Sequence, residues 1–353
     1  MIEIDGSLGE GGGSVLRVAL AISAVSGRPV HIYNIRARRP KPGLAHQHLS
    51  AAKAVSELVN ARVMGLGLGS KEIFFEPGEA EGGRYKIEIG TAGSITLVLQ
   101  ALMPAAAFAK REVELEIVGG SDVPLAPPVD FLKNVTLPVL RKMGYRGEVD
   151  CIRRGHYPRG GGIVRARISP IQKLNALELM EPGKVTAIRG ISHCVKLPGH
   201  VAVRQAHSAK MALLKAGYEA KIETEFYDPS EDQHFGPGSG ITIWAETEGR
   251  AILGASSLGA PGKPAEKVGA EAAESLIAQL KTGCAVDRYL TDQLIVYMAL
   301  SEGTSRISSA ELTMHTLTNV ELVKQILGVE VEVEGKLGES GKIKVWGIGF
   351  KRR

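Results

Sequence analysis

Cysteine is scarce. Cys151, Cys194 and Cys284 are the only three in 353 residues, and none belongs to a Cys-x-x-Cys pair. A zinc ribbon and a disulfide framework are therefore excluded. The two common nucleotide-binding fingerprints, Gly-x-Gly-x-x-Gly and Gly-x-x-x-x-Gly-Lys-Ser/Thr, are also missing: Lys263 follows Gly262, but Ser257 stands where the first glycine of a Walker loop belongs. The longest apolar run, residues 95–109, is broken by Gln100 and Pro104 and is too short to cross a bilayer. The segment MIEIDGSLGEGGG lacks the basic-then-apolar layout of a signal peptide. A cytoplasmic protein with no membrane partner is the expectation. Neither sign of charge dominates, with 43 basic against 38 acidic residues and a net charge of +5. That balance permits a polyanionic partner without demanding one.

What is present is an ordinary globular composition, 44% hydrophobic and 23% charged, with an excess of glycine. The 43 glycines are about 12% of the chain, against roughly 7% on average. They follow no collagen-like period, so they mark tight turns and close backbone approaches. Apolar spacing predicts the same order of elements three times. Helix 13–26, strand 30–35, helix 43–58 and strands near 62–66 and 72–77 come first. Helix 92–108, strand 113–118, helix 129–143 and strands near 148–153 and 163–168 follow. Helix 285–301, a strand near 305–308, helix 317–327 and strands 329–333 and 342–346 close the chain. Between the second and third copies, residues 190–276 read as a small inserted αβ domain. It has a helix over 201–216, strands 221–226 and 241–246 joined through GPGSG (236–240), and an alanine-rich helix after Pro264.

Five segments carry groups suited to chemistry. GSLGEGGGSVLR (6–17) sets a glycine-rich turn before a helix, a cradle for anions, with Glu10 and Arg17 beside it; a plain strand-to-helix turn reads equally well. NIRARRPKPGLAHQHL (34–49) packs Arg36, Arg38, Arg39 and Lys41 into six residues before a stiff Pro-Gly turn, with Gln47 between His46 and His48. Guanidinium groups suit bidentate phosphate contacts, although charge runs are commonly solvated surface. GTAGSITLVLQ (90–100) is the counterpart of the first glycine-rich start, with Ser94 as a cap and Gln100 on an apolar face; close helix packing explains it as well. YLTDQL (289–294) puts Tyr289, Asp292 and Gln293 on one helical face. His315 precedes a helix that Thr316 or Thr318 would cap, at the third repeat's equivalent of the arginine-bearing loop.

Taken together, GEGGGSVLR (9–17), RPKPGLAHQHL (39–49), GTAGSITLVLQ (90–100), GHYPRGGG (155–162), YLTDQL (289–294) and the His315 segment resemble the RNA 3'-terminal phosphate cyclase family, in the family's order and spacing. The resemblance implies an α/β (α+β) fold: three repeated βαβαββ units similar to the C-terminal domain of translation initiation factor three, at about 1–80, 84–170 and 277–353. Residues 1–189 and 277–353 would form the catalytic domain and 190–276 the insert. It implies ATP as co-substrate and an RNA bearing a 3'-terminal phosphate as partner. His315 is implied as the nucleophile that accepts AMP, which passes to the RNA phosphate before the 2'-hydroxyl closes a 2',3'-cyclic phosphodiester. Glu10 is implied as a metal-associated carboxylate for magnesium or manganese. Arg17, Arg36 and Arg39 are implied as phosphate contacts, Gln47, Gln100, Asp292 and Gln293 as polar site residues. Tyr289 and PLAPPVDF (124–131) are implied as flanking the adenine.

Two departures from the family pattern stand out: Ser14 replaces a common glutamine, and Thr313-Met314 precedes the histidine where smaller residues are expected. Two other classes fit the sequence less well. Non-catalytic relatives of ribosome assembly lack the nucleophile, and an enolpyruvyl transferase needs a longer, six-unit chain. Apolar sheet surfaces leave a homodimer open.

Overall fold

The computed structural model describes residues 1–352. Its framework is four four-stranded mixed sheets with helices packed on them. The first unit runs β1 (Ile2–Asp5), α1 (Gly13–Ser26), β2 (Val30–Tyr33), α2 (His46–Leu58), β3 (Arg62–Met64) and β4 (Ile73–Glu76). The second runs β5 (Gly83–Glu88), α3 (Ile95–Ala107) and β6 (Val113–Gly119), then α4 (Val129–Phe131), a π-helical turn (Leu132–Thr136) and α5 (Leu137–Lys142), ending in β7 (Gly147–Arg153) and β8 (Gly162–Ile168). Its sheet order, β5-β6-β8-β7, repeats the β1-β2-β4-β3 order of the first. In both sheets the first pair is parallel and the remaining two pairs are antiparallel.

The third sheet has the same order but gathers its strands from distant parts of the chain. Its edge strand is β9 (Glu178–Leu179). Then come the strands and helices of another sheet: β10 (Val185–Val195), α6 (His200–Lys215), β11 (Ala220–Glu225), β12 (Gly238–Thr247), β13 (Ile252–Leu258) and α7 (Ala265–Lys281). Only afterwards do α8 (Arg288–Leu300), β14 (Glu302–Ser309), α9 (Met314–Leu327), β15 (Val331–Glu334) and β16 (Gly341–Ile348) complete the β9-β14-β16-β15 sheet. Arg306 pairs in parallel with Glu178 and Ile307 with Leu179. A two-residue strand carries too little periodicity to be read from sequence.

Other differences have local causes. Helix α2 begins at His46 and not at residue 43, because Gly43 takes a left-handed turn (φ +85°) and Ala45 is extended at the N-cap. Helix α3 begins at Ile95, where Ser94 accepts the Leu97 amide as cap. Helix 129–142 is broken by its π-turn. GPGSG is no hairpin turn: β12 starts inside it, and β10 lies between β11 and β12. Strands β10 and β13 complete the interposed sheet, whose order, β11-β10-β12-β13, differs from the other three.

The core is one continuous apolar cluster running through all four sheets, and α1, α3 and α8 are its most deeply buried helices. Helix α7 packs on α6 through Gly269, where an added Cβ would sit 2.1 Å from the Gln205 carbonyl oxygen. Glycine-to-alanine normally strengthens a helix by about 1 kcal/mol. Here it would force two backbones apart, so Gly269→Ala is expected to destabilise by about 1–3 kcal/mol. Gly67→Ala, in open space, is expected to stay within about 0.5 kcal/mol. Denaturant unfolding of both variants checks the contrast.

Candidate active site

The first and third units meet where the turn 6–12 faces the start of α9. Gly9 and Gly11 adopt left-handed φ of +58° and +57°, which lets the turn fold tightly against its neighbours. A Cβ at Gly9 would strike Thr318 Oγ1 at 2.0 Å, and one at Gly12 would meet Arg39 Nη2 at 2.8 Å. A Cβ at Gly13 would meet His48 Nε2 at 1.9 Å and Arg17 Nη1 at 3.1 Å. The glycines therefore make room for functional side chains from three other segments. Arg38 Nη1 donates to the Gly9 carbonyl at 2.7 Å and ties the arginine loop to the turn.

His315 is the second residue of α9, which begins at Met314 and not at 317 as the sequence suggests, so the histidine lies inside the helix and not before it. The cap is Thr313, whose Oγ1 accepts the Thr316 amide, and neither Thr316 nor Thr318 takes that role. This accounts for threonine at 313. The His315 ring is 40% exposed, and its Nε2 stands 3.5 Å from Glu10 Oε2. The same oxygen is 3.5 Å from Arg39 Nη2. Burial pushes the His315 pKa down, Glu10 raises it, and Arg17 and Arg39 lower it further. The net direction is down, so the neutral, nucleophilic imidazole persists below the usual range.

Behind this edge arginines and imidazoles crowd together. Burial brings Arg17 down to about 10, against the opposing pull of Asp292. His48 is held at about 3, first by burial and then by Arg17, Arg36 and Arg39. It remains a neutral neighbour. Asp292 is pushed up to about 7 by burial and by Asp287, with Arg17 opposing. Asn319 donates to the Asp292 carbonyl at 2.9 Å and joins α8 to α9. Arg36, at a left-handed φ of +55°, spends Nη1 on the carbonyls of Lys41 and Gly43, each at 2.8 Å, and so shapes the loop that presents Arg39.

Other predicted residues are placed nearby or apart. Gln47 Oε1 accepts the Ser94 amide at 2.9 Å and fixes α2 to the start of α3. Tyr289 is exposed and edge-on to Phe131, ring centroids 6.3 Å apart, which brings it beside the 124–131 segment. Gln293 is engaged by Thr136 Oγ1 at 3.0 Å and by the Tyr289 carbonyl at 2.9 Å. Gln100 is half-buried on α3, and its side chain makes no hydrogen bond among the described residues. The sequence names His48 beside Gln47 without giving it a role, and it does not single out Asn319 or Asp287. Asp287 caps α8 through the Tyr289 and Leu290 amides, both at 2.8 Å, and also accepts the Gly254 amide of β13 at 2.9 Å. His48 had a signal, its place next to Gln47 at a helix start; the other two had none beyond their residue type.

A histidine, a carboxylate and an arginine thus converge where two repeated units meet, with further cationic side chains close by. A sequence profile described as RNA 3'-terminal phosphate cyclase matches residues 8–333. Curated relatives named RNA 3'-terminal phosphate cyclase align over nearly the whole chain. The one from Hyperthermus butylicus is 53% identical over 357 residues, covering 99% of each chain. The one from Methanopyrus kandleri is 51% identical over 346 residues, 98% of each. The one from Ignicoccus hospitalis is 50% identical over 354 residues, 100% of each. This chain belongs to the RNA 3'-terminal phosphate cyclase family, a family of enzymes. No helix among its described residues is long and apolar enough to cross a membrane.

The opposing effects on His315 have testable signs. By histidine-resolved NMR titration, His315 is expected to titrate below pH 6.5. Glu10→Gln removes the partner that raises its pKa and is expected to move the midpoint lower, while Arg39→Gln is expected to move it higher. A midpoint unchanged in both variants would show that neither side chain acts on the ring.

Proposed function

We propose that this chain converts an RNA 3'-terminal phosphate to a 2',3'-cyclic phosphodiester at the expense of ATP, with His315 as the acceptor of AMP. The observation that carries the reading is the His315 Nε2 atom beside Glu10 Oε2 at 3.5 Å, within the electrostatic reach of Arg17 and Arg39. The neutral ring attacks the α-phosphorus, the bond to the bridging oxygen breaks, and pyrophosphate leaves. A 3'-phosphate oxygen of the RNA then attacks the same phosphorus and breaks the P–N bond, so the ring is regenerated. The adjacent 2'-hydroxyl attacks the 3'-phosphorus, loses its proton and expels AMP. Each step brings anions together, so positioning and charge neutralisation dominate the catalysis.

Arg39, partly exposed beside Glu10, would hold phosphate oxygens, and Arg17 would supply a fixed positive charge behind them. Arg36 supports this by shaping the loop. Tyr289 and the 124–131 segment offer an aromatic and proline-lined face for the adenine. Glu10 fits a hard cation, because magnesium and manganese take one or two carboxylates together with substrate phosphate oxygens. Such an ion would supply charge neutralisation between phosphates. The reacting groups all come from residues 1–189 and 277–353, with 190–276 contributing none.

Incubation with ATP labelled at the α-phosphate is expected to yield an acid-labile, base-stable protein–AMP adduct that His315→Ala abolishes. Arg39→Ala is expected to slow adduct formation or cyclisation by about ten- to a hundredfold, the loss of one charged hydrogen-bonding partner. A full adduct in His315→Ala would remove the nucleophile from the scheme.

A further inference from the structure

A second cluster of chemically able side chains lies away from this pocket, where the loops of the second unit meet β10. Asp122 follows β6, His156 follows β7, and His193 sits on β10. All three are buried, and one donor atom of each lies within 4.8 Å of the others. His156 Nε2 is 3.0 Å from His193 Nε2, which is 3.8 Å from Asp122 Oδ1. Metal–ligand bonds of about 2.0–2.1 Å at a tetrahedral centre set donor atoms about 3.3 Å apart. These spacings bracket that value.

The surrounding charge points the same way. Arg154 is paired with Asp130 at 2.9 Å, Glu225 at 2.6 Å and Asp122 at 3.3 Å. One guanidinium thus serves three carboxylates, two of them buried and Glu225 partly exposed, so acidic groups outnumber the cation here. Asp122 is already oriented: its Oδ2 accepts Ser121 Oγ at 2.6 Å and Arg154 Nη1 at 3.3 Å, which are outer-shell contacts of the kind that fix a ligating carboxylate. Oδ1 keeps only a long contact to Arg154 Nη1, at 3.4 Å. Neither ring's Nδ1 has a protein partner. The two Nε2 atoms share a hydrogen bond, so one of them carries a proton; with both Nδ1 atoms unpartnered, that proton can move to Nδ1 and leave both Nε2 lone pairs to a metal.

We propose that Asp122, His156 and His193 form a binding site for a first-row divalent cation of the zinc type, clipping the loops of the second unit to the interposed sheet. Two imidazoles and one carboxylate suit Zn²⁺ and Co²⁺, whereas Mg²⁺ prefers an all-oxygen octahedron. The site is therefore chemically distinct from the Glu10 position, and it stands independently of the proposed reaction.

The test uses the full chain without a histidine tag, stripped by chelator and titrated with Zn²⁺ and, separately, Co²⁺. One equivalent is expected to bind, with a Co²⁺ visible band of tetrahedral intensity and a raised unfolding temperature. His156→Ala and His193→Ala are each expected to weaken binding by at least about a hundredfold, whereas His315→Ala retains it. The conservative His156→Gln and His193→Gln variants serve if the alanine forms do not fold. Wild-type protein that takes up neither ion stoichiometrically, shows no Co²⁺ band and gains no thermal stability overturns the proposal. So do histidine variants that bind as the wild type does.

Discussion

One carboxylate oxygen, Glu10 Oε2, faces Arg39 from the first unit and His315 from the third, 3.5 Å from each. Glu10 holds the guanidinium and the ring in one place although 276 positions of sequence separate them. The turn that carries Glu10 owes its path to glycines at 9, 11, 12 and 13, each backed by a side chain that a Cβ would displace. The same packing brings Arg17, His48 and Thr318 to that turn, so the pocket and the contact between the two units are one construction.

Electrostatics in this pocket are set by burial as much as by pairing. Arginines crowd the inner wall, and the nearby histidines respond by staying neutral. Asp292 behaves oppositely, its carboxyl pushed up to about 7 despite the presence of Arg17. A wall of partly desolvated cations with few ionised carboxylates opposing it is suited to oxygens that carry several negative charges. The neutral His315 ring beside it keeps a lone pair, the one that the proposed reaction would use.

Much of this was legible in the sequence, for physical reasons. The repeated order of helices and strands follows from apolar spacing, and the arginine cluster before a Pro-Gly turn marks itself by composition. The position of His315 in the third unit corresponds to that loop in the first, and the two do converge. What could not be read depends on tertiary partners. The two-residue strand β9 is defined only by pairing with β14, more than a hundred residues away. Thr313 outcompetes Thr316 and Thr318 as the cap because of local backbone geometry that three neighbouring threonines leave ambiguous. Asp122, His156 and His193 are far apart in sequence and match no ligand spacing, so only folding reveals their convergence.

The most direct measurement is peptide mapping by tandem mass spectrometry of wild-type protein quenched at neutral or alkaline pH after exposure to ATP. The account predicts a mass increase of one AMP, on the peptide that spans residues 314–324, with fragments placing it on His315. An AMP mapped to a lysine or to any other histidine would contradict it.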